Sequence, residues 1–161
     1  MRKIKNPWLH IEGYNCFGCA PENPFGLHMT FYEEGDDIIS FWRPADYYQG
    51  WVGVLHGGII STLIDETAGW VVIRKLQTAG LTARLKVAFK KSISSDEMQI
   101  TIRARLKEQK MNVATIEVKV LNAHEEVCAE GDATYFLMSD EQSQEMGFVH
   151  CDVEGDNLLP F

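Results

Sequence analysis

At 161 residues, with a net charge of −8 and 45% hydrophobic residues, the chain is sized for one domain with its own core. That charge makes it a poor partner for nucleic acid or an anionic membrane surface. No apolar run follows the basic Met1-Arg2-Lys3-Ile4-Lys5 start, and Asp65 and Glu66 interrupt the longest apolar stretch, so neither a signal peptide nor a membrane span is expected. Four cysteines are too sparse for a disulfide framework and point to free thiols in a reducing cytoplasm.

Residues 1–26 read as an irregular extension with turn signals at Pro7, Gly13, Gly18, Pro21, Asn23-Pro24 and Gly26. A first strand fits Leu27 to Glu33 and a second fits Asp37 to Arg43, joined by a turn at Glu34-Gly35-Asp36. Residues 45–55 read as a loop carrying Tyr47, Tyr48, Gln49, Gly50, Trp51 and Gly53. With Trp42, these aromatics suit either an acyl pocket or a dimer rim.

A helix is expected from His56–Gly58 to Thr78–Gly80. Gly58, Ser61, Thr62, Asp65, Ala68 and Gly69 fall on one stripe of small residues with Asp65 at its middle, which permits close approach of a ligand or another backbone. A carboxylate in so apolar a segment is costly unless it is paired, hydrogen-bonded or chemically active. It could equally be a structural acid bonded to Ser61, Thr62 or a backbone amide. Glu66, one residue on, points elsewhere and reads as a salt-bridge partner.

Four alternating strands follow. The first sets Leu81, Ala83, Leu85, Val87 and Phe89 against Thr82, Arg84, Lys86 and Lys90. The others centre on 98–106, 114–120 and 127–137, and their short links predict an antiparallel meander. Residues 139–161 form an acidic tail with a short helix at Asp140–Met146. The division is thus 1–26, 27–138 and 139–161. Two strands, one buried helix and four long strands give an α+β hotdog fold, an antiparallel sheet wrapped around one long central helix.

His56-Gly57-Gly58 with an acid nine positions after the histidine resembles the phenylacetic-acid-type and 4-hydroxybenzoyl-CoA-type hotdog thioesterases. Cys16-Phe17-Gly18-Cys19 followed by Asn23-Pro24-Phe25-Gly26-Leu27 is similar to an N-terminal extension of that superfamily, and Ala129–Phe136 to its last strand. The resemblance implies hydrolysis of acyl-CoA thioesters, with Asp65 as general base or nucleophile. It implies that the Gly57 amide polarises the carbonyl, from the opposite subunit of a dimer. Helix N-terminal amides suit that task because they lack intrahelical partners and favour negative charge.

Thr82 falls where some relatives place a hydroxyl that positions the attacking water. Gln49 stands beside Gly50, which occupies the position of an asparagine that some relatives use to hold the acid or substrate. His56 reads as a proton donor or, preferably, as a loop-orienting hydrogen-bond partner. Gly58 reads as packing or contacting substrate. Lys90 and Lys91, then Arg103 and Arg105, are candidates for coenzyme A phosphates, against the plainer reading of solvated strand charges.

Cys16-x-x-Cys19 invites a metal or redox reading. A structural zinc site needs four ligands, and His10, His28 or His150-Cys151 lack the usual close spacing, so no metal is expected and the cysteines read as buried packing residues. No cofactor is expected beyond the coenzyme A of the substrate. The partners expected are an acyl-CoA and further copies of the chain, as a homodimer or homotetramer. The rival reading is a non-catalytic hotdog that binds acyl-CoA.

Overall fold

The computed structural model describes residues 1–155. The last six residues of the expected 139–161 tail therefore lie outside the described part. In chain order the strands are β1 (Arg2–Lys3), β2 (Tyr32–Glu34), β3 (Asp37–Trp42), β4 (Gln49–Trp51) and β5 (Val54–Leu55). Then come the helix α1 (Gly57–Lys75), β6 (Gly80–Phe89), β7 (Ile100–Lys110), β8 (Val113–Leu121), β9 (Val127–Leu137) and a short α2 (Asp140–Glu145). One seven-stranded sheet runs β1-β2-β3-β7-β8-β9-β6, every pair antiparallel, and α1 lies across its inner face. This is the hotdog arrangement the element order predicts. No helix among the described residues is long and apolar enough to cross a membrane.

The helix buries Ile60, Leu63, Ile64, Ala68, Trp70, Val71 and Val72, while Gly58, Ser61, Thr62, Asp65 and Gly69 stay half-buried or exposed. Each fully buried aliphatic side chain contributes about 1.5–3 kcal/mol relative to exposure, which fixes the helix's rotation with Asp65 toward the open side. Gly131 on β9 lets the helix come close: an added Cβ there would sit 2.6 Å from Ile64 Cγ2. The helix ends at Lys75, earlier than Thr78–Gly80, because Gln77 turns to a φ of 51° and its side chain caps the Arg74 carbonyl.

Three sequence expectations change. Of the expected first strand only Tyr32 and Glu33 join the ladder, in β2 with Glu34. Leu27 and Met29 spend their N–H groups on the Phe17 and Gly18 carbonyls of the extension, and His28 between them has a φ of 52°. The four long strands are not a simple meander: β6 pairs with β9, and β7 inserts between β3 and β8. Residues 90–99 carry the chain across, held by buried Ile93, whose carbonyl accepts from Leu55, and by a bridge between Val54 and Ser94. The expected 45–55 loop contains a 3₁₀ turn at Asp46–Tyr48 and the β4–β5 hairpin.

A polar clamp locks the helix end to the sheet. Glu33 on β2 accepts from Arg2, from Arg74 at 3.0 and 3.2 Å and from Lys75 at 2.6 Å, and its side chain is 9% exposed. Burial alone would raise the Glu33 carboxyl, but the Arg74 and Lys75 hydrogen bonds outweigh it and hold the pKa at about 2. Arg74 also donates to the Cys151 carbonyl, tying in the segment after α2. That segment is docked rather than loose: Phe148, Cys151 and Val153 are buried, and Ser143 bonds the Thr78 hydroxyl and Ala79 N–H.

Candidate active site

Asp65 sits mid-helix and half-buried, under the sheet edge formed by β6 and β9. Its Oδ1 accepts from the Thr82 hydroxyl at 2.9 Å and from the Tyr135 hydroxyl at 2.8 Å. Tyr135 O–H is also 2.6 Å from the Asp65 carbonyl oxygen. Burial, then the nearby Asp65 charge, push the Tyr135 phenol well above its ordinary value, so it stays protonated as a donor. Among the described residues nothing donates to Asp65 Oδ2. One carboxylate oxygen is thus held and the other is left for chemistry.

Thr82 and Tyr135 are cross-strand partners, and a register shift between Thr82 and Arg84 lets both reach the helix. The alternation read from sequence places Thr82 opposite Leu85 and Val87. The bulge at Ala83 turns Thr82 to the inner face along with them and sends Leu81 outward beside Phe136. Tyr135 was not among the expected site residues. Its parity with the small residues Ala129, Gly131 and Ala133 is the signal that would have found it.

The helix N-terminus is built by His56. Its Nδ1 accepts from the Gly58 N–H at 2.8 Å, which places the proton of the neutral ring on Nε2, and its carbonyl accepts from Ile59 and Ile60. Among the described residues the Gly57 N–H has no acceptor and points out of the helix end. The Gly58 amide is therefore committed to the cap, and the Gly57 amide is the one open to a ligand oxygen. The Phe89 ring lies 3.4 Å from where a Gly57 Cβ would stand.

Gln49 lies in the adjoining hairpin, but its amide donates to Asp46 and to Ser95 rather than to any group at Asp65. The aromatic group divides. Trp42 is buried, packs on half-buried Tyr48 and donates to the Leu27 carbonyl, whereas Tyr47 and Trp51 are about four-fifths exposed, at 82% and 81%. Lys90 and Lys91 are exposed and paired with Glu130 and Glu126. Arg103 and Arg105 both clasp Asp37. Among the described residues Glu66 makes no salt bridge; it accepts from the Trp70 indole N–H at 3.1 Å and from the Cys16 thiol. All four cysteines are free thiols.

Residues 52–129, which span α1 and most of the sheet, match the family model described as thioesterase superfamily. The matched stretch places residues 52–129 in the thioesterase superfamily. Solved structures of that superfamily share its fold. A thioesterase-superfamily protein aligns at 21% identity with a TM-score of 0.70, over 75% of this chain and 62% of its own. A hypothetical thioesterase from Streptococcus pneumoniae TIGR4, solved with coenzyme A, aligns at 20% identity and TM-score 0.64, over 69% of this chain and 89% of its own. That protein has also been solved as aspartate-to-alanine and threonine-to-alanine mutants. The smu.793 protein of Streptococcus mutans UA159, bound to acetyl-CoA, aligns at 21% identity and TM-score 0.66, over 81% of this chain and 97% of its own. Curated protein sequences give no significant match. At these identities the likeness to the solved structures is one of fold, and the chemistry has to be argued from this chain's own residues.

Proposed function

We propose that this protein hydrolyses acyl-CoA thioesters at sites shared between two copies of the chain, in a reducing compartment. The observation that carries the reading is Asp65: Oδ1 fixed by two hydroxyl donors, Oδ2 free, and the side chain on the open face of the helix. A carboxylate so held serves either as base toward water or as nucleophile toward the thioester carbon. The Gly57 N–H, at the positive end of α1, suits the oxygen that gains charge, a contact worth on the order of 3 kcal/mol. The ligands seen in the two streptococcal structures support acyl-CoA as the substrate class.

Within one chain Gly57 and Asp65 are eight residues apart, or about 12 Å along the helix axis, too far to engage one carbonyl together. That separation supports a site completed by a second copy. The open edge of β6 supports it too: its exposed Leu81 and Phe89 and its outer backbone groups have no strand partner among the described residues. The first test is an acyl-CoA panel with free-thiol detection, where release of coenzyme A is expected. Binding without turnover across aromatic, short and medium acyl groups would favour the non-catalytic reading. The second is subunit mixing. Asp65→Asn and Gly57→Pro chains, each inactive alone, are expected to regain part of the wild-type rate in verified heterodimers, and no recovery would place each site within one chain.

For the nucleotide, Lys90 and Lys91 lie at the end of β6 near Gly57 and Phe89. Phosphates there must compete with Glu130 and Glu126 for exposed ammonium groups. The Lys90→Ala/Lys91→Ala chain is expected to raise KM more than it lowers kcat and to flatten the salt dependence of KM. An unchanged KM at low and high salt would move the phosphates to another surface.

A further inference from the structure

The N-terminal extension meets α1 at a cluster that the thioesterase reading leaves unused. The Cys16 and Cys19 sulfurs and a Glu66 carboxylate oxygen lie within 4.8 Å of one another, and Cys16 Sγ is 3.6 Å from both Glu66 oxygens. We propose that Cys16, Cys19 and Glu66 form a binding site for one zinc ion, with its fourth position open to water.

The geometry fits that ion. Zinc bonds of about 2.3 Å to sulfur and about 2.0–2.2 Å to oxygen, at tetrahedral angles, set the sulfur–oxygen edge at about 3.5–3.7 Å. Two soft sulfurs with one carboxylate select zinc over magnesium or calcium, which take oxygen ligands. Two of the three ligands also have a partner that would orient them once charged. The Tyr14 hydroxyl sits 2.9 Å from Cys19 Sγ and is itself held by Asn6 Nδ2 at 3.1 Å. Trp70 Nε1, on a ring that is 2% exposed, donates to Glu66 Oε1. Such outer-shell hydrogen bonds fix the ligands of metal sites.

Charge argues the same way. Glu66 is half-buried, yet no ion pair among the described residues involves it, whereas buried Glu33 is met by Arg2, Arg74 and Lys75. Its surroundings are two thiols and an indole. A divalent cation would supply the missing positive charge as the two thiol protons pass to solvent. Gly18 belongs to the same construction, because a Cβ there would stand 2.4 Å from the Glu66 carboxyl carbon. The turn between the two cysteines is therefore as close to the acid as backbone allows. The resulting clamp would join the extension to the helix one residue from Asp65. The requirement for four protein ligands applies to closed structural sites, and three ligands with an open position make a different kind of site.

The test is a Co²⁺ titration of the reduced, chelator-treated full chain without oxygen. One equivalent per chain is expected, with a sulfur-to-cobalt charge-transfer band, strong visible bands of a tetrahedral ion and displacement by Zn²⁺. Cys19→Ser should lose the charge-transfer band, and Glu66→Gln should keep it but bind about tenfold more weakly or worse. Alkylation of the unaltered protein needs no variant: Zn²⁺ should slow modification of Cys16 about tenfold or more. No charge-transfer band in reduced wild type, Glu66→Gln binding as tightly as wild type, or an unchanged alkylation rate would each overturn the proposal. So would a Cys16–Cys19 disulfide whose reduced form takes up no metal.

Discussion

Asp65→Asn is expected to lower kcat on an acyl-CoA substrate by about a hundredfold or more while the protein stays folded. Asparagine keeps an oxygen for the Thr82 and Tyr135 hydroxyls, so the link between α1 and the β6–β9 edge survives. What is lost is the second carboxylate oxygen and its negative charge, without which the side chain can neither take a proton from water nor attack a thioester. Steady-state kinetics beside a thermal melt separates the two effects. Near wild-type turnover in Asp65→Asn would remove Asp65 from the chemistry. Glu66→Gln in parallel identifies the neighbour if the carboxylate at work is the one facing the cysteines.

The Glu33 clamp is expected to give the largest single effect on stability. Glu33→Gln leaves Arg74 and Lys75, with side chains only 13% and 21% exposed, facing a neutral amide, a loss of about 3–5 kcal/mol measured by urea unfolding at neutral pH. The pH dependence has a definite sign. The folded pKa of about 2 lies below the ordinary 4.5, so the contribution is complete above about pH 4.5 and fades as pH falls toward 2. A displacement of that size corresponds to on the order of 3 kcal/mol. The stability gap between wild type and Glu33→Gln should therefore narrow through that acid window. A gap that stays constant down to pH 2 would show that the carboxylate's charge is not what holds the helix end.

Much of this molecule is legible in its sequence because the controlling forces are local or periodic. The apolar content around Asp65 marks α1, period-two alternation finds the long strands, and His56-Gly57-Gly58 marks the helix start that the cap then builds. The misreadings arise where a distant contact decides. Alternation continues through Leu81, Ala83 and Leu85 as though the strand were regular, and nothing local announces the bulge that brings Thr82 to Asp65. Short links suggest sequential pairing, but buried Ile93 carries the crossing that gives β6 to β9. Glu66 meets Trp70 at helical spacing, but its other partner, Cys16, lies 50 residues upstream, beyond the reach of any spacing rule.

The pairing of β6 with β9 also sets an order of events during synthesis. Asp65 and Thr82 leave the ribosome long before Tyr135, and among the described residues β6 has no neighbouring strand until residues 127–137 have been made. A nascent chain that ends at Leu121 can pack α1 against β3, β7 and β8, but it holds β6 with both edges bare. Closing the loop between Asp65 and Tyr135 spans 70 residues and has to await the last long strand. The geometry around the carboxylate is thus among the last to form, and a truncated or stalled chain exposes an unpaired strand prone to association before it has any hold on Asp65.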